Sequence, residues 1–274
     1  MLQAVRELLL ARGITLCAPV ALSACCIRKP YLLERAGIDG GTAFLFAVPY
    51  YTTFCDDPAR NISAYAVSKD YHLFFEMLFE EILPILHQRF PTYRFAGFAD
   101  HSPIDEVDAA ARAGLGCIGC NHLLLTERYA SYVFLGEILT DAVLDTPGAE
   151  PIACAACGAC RRACPAALEA SGCLSALSQK KGVLTPAEQN TLLESKTVWG
   201  CDRCQEHCPV TLAAQKSGSI YTSIPFFGEA PLPHLTESVI AEMSDTEFSK
   251  RAYSWRGRQT ILRNLTFTGK EEEQ

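Results

Sequence analysis

Short apolar runs divide the first half of the chain into predicted strands. Residues 43–48 (AFLFAV) form a continuous apolar run that stops at Pro49, which is the pattern of a buried strand. Residues 93–98 (YRFAGF) and 132–139 (YVFLGEIL) predict two further strands, and the first of these leads to Asp100. The runs are short and separated, so they predict a sheet with connections of other structure between its strands.

Helical spacing of apolar residues fills several of the intervals between these runs. Residues 1–13 read as a short amphipathic helix, and residues 71–89 as a long helix with a bend at Pro84. A further helical pattern covers residues 235–251. Because strands and helices interleave, residues 1–150 are predicted to form an α/β or α+β fold.

Composition and charge then narrow the class of protein. The chain has 274 residues, of which 49% are hydrophobic and 20% charged, a balance that excludes a disordered, collagen-like or coiled-coil chain. No apolar run reaches the ~18 residues of a membrane span, and the N-terminus has no export signal. We therefore expect a cytoplasmic protein without a membrane partner. The net charge of −7 does not predict the basic face of a dedicated nucleic-acid binder.

Cysteine marks a change along the chain. Residues 145–151 (DTPGAEP) resemble a linker, and eight of the 14 cysteines follow between Cys154 and Cys208. In a long chain without an export signal, such a concentration indicates metal binding rather than disulfides. We predict three parts: residues 1–150, in which strands and helices interleave, a cysteine-rich part at 151–212 and a helical tail at 213–274.

Two cysteine motifs predict iron–sulfur clusters. The first has the spacing Cys-x2-Cys-x2-Cys-x3-Cys-Pro of bacterial ferredoxins, and the second is Cys-x2-Cys-x3-Cys-Pro. The second motif has Val198 where a further cysteine would stand, and Cys173 can supply the missing ligand. In two-cluster ferredoxins the last cysteine of each motif binds the other cluster. The predicted ligands are Cys154, Cys157, Cys160 and Cys208 for one [4Fe–4S] cluster and Cys164, Cys173, Cys201 and Cys204 for the other.

Other interpretations of the cysteines stay open. Zinc sites also use Cys-x2-Cys pairs, but they do not need two separate Cys-x3-Cys-Pro endings. Disulfides are the second alternative. Cys117 and Cys120 form an isolated Cys-x2-Cys pair, which is consistent with structural thiols, with redox chemistry or with contact to a bound cofactor.

Several motifs in order resemble those of the epoxyqueuosine reductase family. The matching segments are residues 61–72 (NISAYAVSKDYH), 100–103 (DHSP), 113–119 (AGLGCIG), 134–138 (FLGEI), 200–209 (GCDRCQEHCP) and 256–264 (RGRQTILRN). The resemblance covers most of residues 40–265. It implies an α+β protein, with a cobalamin-binding α/β sandwich like that of reductive dehalogenases, a two-cluster ferredoxin-like domain and a short helical tail.

The resemblance also implies an activity and a set of functional residues. Family members use cobalamin and two [4Fe–4S] clusters to reduce epoxyqueuosine to queuosine in tRNA. The family's catalytic aspartate aligns with Asp100. The positions that match the family's motifs around the cofactor are Tyr71, His72, His101, Cys117, Cys120 and Asn121. An external low-potential electron donor is implied, and we expect a monomer.

This sequence departs from the family pattern in ways that keep other functions open. Cys120 stands where the family has a lysine, and Cys117 where it has a tryptophan. The chain stops where many members continue into helical repeats, so tRNA binding is in question. Two alternatives are the same cofactors acting on another small electrophile, and an electron-transfer protein without cobalamin.

The residues after Asp100 predict a helix start. Ser102 would be the N-cap and Pro103 the first helical residue, with Asp105 completing a capping box and Gly114 ending the helix. Asp100 lies before this cap. It is therefore available as a general acid, which would need burial against an apolar cofactor face to raise its pKa. The alternative is that Asp100 is a second capping residue.

Several other polar residues also have candidate roles. Tyr71 and His72 either line the cofactor pocket or serve in packing and helix capping. His101 is a candidate for a second proton source, and Glu137 in the predicted strand for a buried polar anchor. Four basic residues of the tail could hold RNA phosphate or form a solvated helix face: Arg251, Arg256, Arg258 and Arg263.

Overall fold

Two units, each assembled from separate stretches of the chain, make up the fold. The computed structural model describes residues 1–146 and 150–268. The first unit comprises Met1–Tyr50, His72–Cys157 and Ala213–Ile224, and the second comprises Tyr51–Tyr71, Gly158–Leu212 and Pro225–Gln274. The units interleave along the chain and do not follow the three predicted parts, whose boundaries stay a prediction. Part of the predicted linker, residues 147–149, lies outside the described residues.

A four-stranded antiparallel sheet organises the first unit. The strands of the first unit, including two that lie outside this sheet, are β1 Leu16–Ala21, β2 Thr42–Pro49, β3 Phe95–Phe98, β4 Cys117–Ile118, β5 Leu124–Leu125 and β6 Val133–Thr140. The sheet has the order β1-β2-β6-β3, and β4 and β5 form a separate small hairpin. All three strands that the apolar runs predict are present, and every residue of β2 is buried. Its continuous apolar run reflects burial on both faces of the sheet.

Helices of the first unit cover both faces of this sheet. They are α1 Leu2–Leu10, α2 Pro30–Ala36, α3 Tyr71–Arg89 and α4 Glu106–Arg112. A Cβ on Gly136 of β6 would lie 2.5 Å from the Phe75 ring of α3, so glycine lets α3 approach this face closely. On the other face, buried Leu45 and Leu139 pack with the alanines of α4 in one core cluster. The helix predicted at 71–89 is confirmed and contains Pro84.

The second unit consists mainly of short helices. Its helices, with α9 extending into the first unit, are α5 Ala159–Ala163, α6 Leu174–Ser178, α7 Pro186–Ser195, α8 Arg203–Glu206, α9 Pro209–Ser217, α10 Glu237–Glu242, α11 Asp245–Ser249 and α12 Arg258–Thr268. Six single 3₁₀ turns occur in the described chain: Leu22–Ala24, Thr53–Asp56, Ala64–Ala66, Ala170–Gly172, Pro225–Gly228 and Ser254–Arg256. The mixture of an antiparallel sheet and helices confirms the predicted α+β class.

One predicted helix is wrong in its extent. The pattern at residues 235–251 is two helices, because Ser244 interrupts it. The Ser244 hydroxyl accepts from the Glu247 N–H, and the Glu247 carboxylate accepts from the Ser244 N–H, so a new helix starts there. Within the described residues, no helix has the length and apolar character needed to cross a membrane.

Candidate functional site

Asp100 lies on a short loop directly after β3 in the first unit. Its backbone has φ +63°, the left-handed conformation that costs a non-glycine residue roughly 1 kcal/mol or more. Its carboxylate is 64% exposed, and Oδ2 lies 3.4 Å from Nε2 of His72, the second residue of α3. The structure therefore brings the predicted proton donor together with one of the predicted cofactor residues.

The Asp100 backbone is held by a side chain of α4. The Asp100 N–H donates to Oε1 of Glu106 at 2.9 Å, and Glu106 is the first residue of that helix. This contact fixes the loop by its main chain and leaves the Asp100 carboxylate at the surface. Asp100 does not cap α4, so that alternative is not what the structure shows.

The predicted helix cap is wrong. The N-cap of α4 is Asp105, whose Oδ1 accepts from the Asp108 N–H at 3.2 Å. Ser102 does not cap, because its hydroxyl donates to the Glu137 carboxylate and accepts from the Ile104 N–H at 3.0 Å. The helix therefore starts three residues later than the Ser-Pro pattern predicts.

Glu137 is a buried polar anchor, as its position in the predicted strand indicated. It lies in β6 between its register partners Leu45 of β2 and Phe98 of β3, with its side chain fully buried. Oε1 of Glu137 accepts the Ser102 hydroxyl, and Oε2 is buried without a hydrogen-bond partner among the described residues. Burial raises the pKa of Glu106 to about 7, and burial with the neighbouring Glu106 raises the pKa of Glu137 well above its ordinary value.

His101 points to a different set of partners from Asp100. Its ring nitrogens lie 3.1 Å from Nζ of Lys29 and 2.9 Å from the hydroxyl of Tyr31. Both contacts are exposed, and the Tyr31 and His101 rings pack at 6.3 Å between centroids. Tyr71 is the half-buried first residue of α3. The surface of the first unit around Asp100 thus carries His72, His101 and Tyr31.

The cysteine pair predicted near the cofactor divides between two environments. Cys117 lies in β4 opposite Leu125, whereas Cys120 is exposed with its Sγ 3.5 Å from Sγ of Cys154. Asn121 accepts the Leu123 N–H at 3.4 Å and so shapes its own turn. A predicted cluster ligand therefore has a second thiol beside it.

Hydrogen bonds lower the pKa of Cys154. The largest contribution comes from the Ala156 N–H; burial opposes it, and the backbone and thiol of Cys120 add smaller lowering contributions. Ala156 has φ +51°, which turns the chain sharply after Cys154. Since the thiolate is the form that binds metal, this turn favours ligation.

The eight motif cysteines fit thiolate ligation in their chemistry. All eight are free thiols and none is buried, whereas Cys17 and Cys55 are buried in the protein. In the described part of the chain, no three Cys, His, Asp or Glu side chains lie together closely enough to hold a metal ion. The second predicted ligand set lies wholly in the second unit: Cys164, Cys173, Cys201 and Cys204.

The other predicted ligand set is divided between the units. Cys154 and Cys157 belong to the first unit, and Cys160 and Cys208 to the second. This set therefore stays a prediction from spacing along the chain.

A buried aspartate anchors the loop that carries Cys201 and Cys204. Asp202 is 4% exposed, and its carboxylate accepts from the Ser63 hydroxyl, from the Ala64 N–H at 2.6 Å and from Arg60 at 2.8 Å. Arg60 also donates to Glu206 at 2.6 Å. A charge buried with this many partners holds the backbone between the two cysteines in one position.

The residues before Cys201 are structural. Val198 and Trp199 are fully buried, and the indole N–H of Trp199 donates to the Tyr65 hydroxyl at 2.7 Å. Gly200 has φ +69°, and a Cβ there would lie 2.5 Å from Cβ of Ser63. Val198 thus belongs to the core, which is consistent with a ligand supplied from elsewhere in the chain.

The four basic residues of the tail have partners within the second unit. Arg251 donates to the Ala230 carbonyl, Arg258 to Asp245 at 3.0 Å, and Arg263 to the carbonyls of Lys180 and Gly182 at 2.6 Å. The Arg256 guanidinium stacks over the Trp255 ring at 3.8 Å. Arg251, Arg258 and Arg263 thus link separate segments of the second unit, whereas Arg256 packs on its chain neighbour. The four side chains do not form a fully solvated helix face.

The pattern along the chain did not reveal two residues of this site. Glu106 reads only as an acidic residue in a first helical turn, and Asp202 only as a polar residue within a cysteine motif. Glu137 could have pointed to a buried polar contact, because a charged residue inside an apolar strand needs a buried partner.

Fold and site together define an α+β protein with a carboxylate on an anchored loop and a cysteine segment of ferredoxin spacing. No protein-family model matches the chain. It is 33% identical over 212 residues to an epoxyqueuosine reductase of Gloeobacter violaceus, covering 73% of this chain and 66% of that one. It is 31% identical over 243 residues to that of Cyclobacterium marinum, covering 81% and 74%. The chain belongs to the epoxyqueuosine reductase family.

Solved structures of the family share the fold. A selenomethionine-labelled epoxyqueuosine reductase superposes with a TM-score of 0.76 at 23% identity, over 97% of this chain and 81% of that one. The chain spans between 45% and 66% of the length of the first four curated relatives.

Proposed function

We propose that this chain is an iron–sulfur and cobalamin-dependent reductase that converts epoxyqueuosine to queuosine in tRNA. The observation that carries the proposal is the exposed Asp100 carboxylate on a loop held by its backbone, in a chain of this family. A family structure with a TM-score of 0.74 was solved with an epoxyqueuosine-modified tRNA-Tyr stem loop. The epoxyqueuosine reductase of Bacillus subtilis was solved with a catalytic loop, named by its aspartate, swung out of the active site.

The reaction defines what the protein must supply. Removing the epoxide oxygen to leave an alkene takes two electrons and two protons and releases one water. When bound, cobalamin and the two clusters would supply the electrons, since cofactors carry the difficult redox step. The protein's part is to orient the substrate and deliver protons.

Asp100 is the residue proposed to deliver a proton. Its carboxylate faces solvent on the anchored loop, with His72 within 3.4 Å to orient it or to supply the next proton. An exposed carboxyl group is ionised at neutral pH and has no proton to donate. A bound ligand must therefore cover Asp100 and raise its pKa before Asp100 can act as a general acid. Removing the ionisable group alone should therefore abolish proton delivery while leaving the loop in place.

The residues around Asp100 fit a large polar cofactor. His72, His101 and Tyr31 present nitrogen and hydroxyl groups at the surface of the first unit, and these are the residues that would hold cobalamin. Cys117, Cys120, Asn121 and Tyr71 stay proposed cofactor contacts. We further propose an external low-potential electron donor and a monomeric, cytoplasmic enzyme.

Cofactor content is the first test. Anaerobic reconstitution with iron, sulfide and hydroxocobalamin should give about eight irons and one cobalt per chain after desalting, as two Cys-ligated [4Fe–4S] clusters and one cobalamin require. About eight irons without cobalt would instead support an electron-transfer protein. Cobalt and iron without turnover of an epoxyqueuosine-modified stem loop would point to another electrophile.

Asp100→Asn tests the proton donor. The amide keeps the size and the loop but cannot donate a proton at neutral pH, so turnover of the modified stem loop should fall by at least ~100-fold. Asp39→Asn, at an exposed aspartate of the same unit, is the matched control and should retain turnover. Full activity of Asp100→Asn with normal iron and cobalt would remove Asp100 from this role.

A further inference from the structure

Two thiols of the first unit lie beside each other. Sγ of Cys120 is 3.5 Å from Sγ of Cys154, although the two residues are 34 positions apart in the chain. Both residues belong to the first unit, so this contact lies within a single unit of the fold. The sulfur atoms of a disulfide are about 2 Å apart, so the two thiols need to approach by only roughly 1.5 Å to form one.

Backbone hydrogen bonds hold the segment of Cys154 against β4. The Ile118 N–H donates to the Ile152 carbonyl at 2.9 Å, and the Cys154 N–H donates to the Ile118 carbonyl at 3.1 Å. These two bonds pair Ile118 with Ala153 as neighbours in parallel strands would be paired. The main chain therefore sets the position of Cys154 beside the small hairpin.

The turn that carries Cys120 is held by its backbone in the same way. The Gly119 N–H donates to the Leu123 carbonyl at 2.8 Å, and the His122 N–H donates to the Gly119 carbonyl at 2.9 Å. Cys120 is exposed on this turn and Cys154 is half-buried, so a small oxidant can reach the pair from solvent. Two thiols that are held close together and open to solvent meet the requirements for reversible oxidation.

Oxidation of this pair would compete with metal binding. Cys154 belongs to the first predicted cluster ligand set, and iron binds a cysteine as the thiolate. A sulfur that has entered a disulfide is no longer a thiolate and cannot bind iron. Cys120 stands where the family has a lysine, a side chain that cannot form a disulfide. This chain therefore places a competing thiol directly beside a predicted cluster ligand.

We propose that Cys120 and Cys154 form a reversible disulfide in the iron-free protein, and that this bond prevents loading of one [4Fe–4S] cluster. The oxidant is a peroxide. One thiol attacks a peroxide oxygen, which breaks the O–O bond, gives a sulfenic acid and releases one water from hydrogen peroxide. The second thiol attacks the sulfenic sulfur and releases the second water. The two sulfurs lose two electrons in total, and peroxide accepts them.

The two parts of this proposal depend on different assumptions. The disulfide follows from the contact between the two thiols and needs no cofactor. The effect on cluster loading rests on the proposed function, because it takes Cys154 as a cluster ligand. The experiments therefore measure the disulfide first and the iron content second.

Disulfide mapping by mass spectrometry tests the pair in iron-free protein. After treatment with one equivalent of hydrogen peroxide per chain, the main disulfide should join Cys120 to Cys154, and dithiothreitol should remove it. Cys120→Ser should abolish this link. Cys117→Ser, at the neighbouring thiol in β4, is the matched control and should retain it. Absence of the link in the wild type, or a main disulfide between other cysteines, would overturn the proposal.

Iron content after cluster transfer tests the consequence. A [4Fe–4S] carrier protein serves as the cluster donor, because free sulfide would itself reduce the disulfide. The oxidised wild type should take up about four irons per chain, a twofold loss against the about eight of the reduced protein. Oxidised Cys120→Ser should keep about eight, whereas oxidised Cys26→Ser, at another exposed thiol of the first unit, should match the oxidised wild type.

The outcomes separate this inference from the proposed function. Equal iron content in oxidised wild type and oxidised Cys120→Ser would overturn the effect of the disulfide on cluster loading. If the disulfide forms but the reduced wild type takes up no iron, the proposed function fails and the oxidation site stands. If the reduced protein takes up about eight irons but the disulfide does not form, the oxidation site fails and the proposed function stands.

Discussion

The sheet of the first unit and the cysteine segment of the second are stabilised in different ways. All eight residues of β2 are buried, and Ala43 and Leu45 belong to a core that also includes residues of β1, β6 and α4. In the second unit, α5 buries no side chain, and the core under α6 and α7 consists of Leu174, Leu184 and Leu192. A segment with so little apolar burial depends on other links, and its thiols are where a metal cluster would provide them.

A buried carboxylate in each unit shows the same contrast. Asp202 in the cysteine segment is neutralised by Arg60 and by hydrogen bonds from Ser63 and Ala64. Glu137 in the sheet forms no ion pair among the described residues, and burial together with the neighbouring Glu106 raises its pKa well above the ordinary value. The two units should therefore respond to different perturbations, the cysteine segment to loss of metal and the sheet to alkaline pH.

Removing iron should give the largest difference between the two regions. We expect the amides of residues 158–208 to exchange at least about tenfold faster in iron-free protein, because cluster binding contributes directly to folding. The amides of β2 and β6 should keep their protection, since side-chain burial holds them. Hydrogen exchange with mass spectrometry measures both regions in one sample. Equal loss of protection in the sheet and in the cysteine segment would contradict the claim that the two regions are stabilised in different ways.

Cys201→Ala should affect one cluster. Iron after reconstitution should fall from about eight to about four per chain, because four thiolates are needed for each cluster. Cys55→Ala is the matched control: this thiol is buried in the same unit and is not a predicted ligand, so its loss should leave the iron content unchanged.

Asp202→Ala should have the next largest effect. It leaves the buried Arg60 with Glu206 as its one carboxylate partner among the described residues, and it removes the acceptor of the Ser63 hydroxyl and the Ala64 N–H. Breaking a buried ion pair on one side costs about 3–5 kcal/mol. Chemical denaturation of the reconstituted protein measures the change. Asp245→Ala, at an exposed aspartate paired with Arg258, is the control and should cost less than about 1 kcal/mol.

The sequence predicted the sheet better than the site, for a physical reason. The strand at 43–48 and the helix at 71–89 follow from local periodicity, which the described structure confirms. The capping residue of α4 did not follow, because the Ser102 hydroxyl is taken by Glu137, 35 residues away in the chain. Local patterns do not show which long-range partner a side chain will prefer.

The sequence predicted individual residues of the candidate site but not the contacts that hold them in place. Asp100, His72 and the cysteines stood out by motif, and Asp100 and His72 are indeed neighbours. Glu106 and Asp202 hold the Asp100 loop and the Cys201 loop, yet each has the sequence context of an ordinary surface carboxylate. Their roles depend on burial in the folded chain, which composition and spacing do not encode.

Alkaline pH should destabilise the sheet through Glu106. The pKa of Glu106 is about 7 in the folded protein against an ordinary value of 4.5, so the folded state binds this proton more tightly. The resulting stability is fully present below pH 4.5 and is lost as the pH rises through 7. Over that range, the free energy of unfolding of the wild type should fall by roughly 3 kcal/mol relative to Glu106→Gln. Denaturation of both proteins at each pH measures the difference, and parallel curves would contradict it.

The smallest effect compares one helix cap in each region. Asp105 caps α4 beside the sheet, and Thr185 caps α7 in the cysteine segment. Alanine at either position should cost about 1 kcal/mol. If the regions differ as argued, Asp105→Ala lowers the free energy of global unfolding, because α4 belongs to the core of the sheet. Thr185→Ala in iron-free protein should instead speed exchange of the α7 amides and leave β2 unchanged. Asp105→Asn and Thr185→Ser, which keep a capping oxygen, are the matched controls, and equal global losses for both alanine variants would show that the two regions unfold as one.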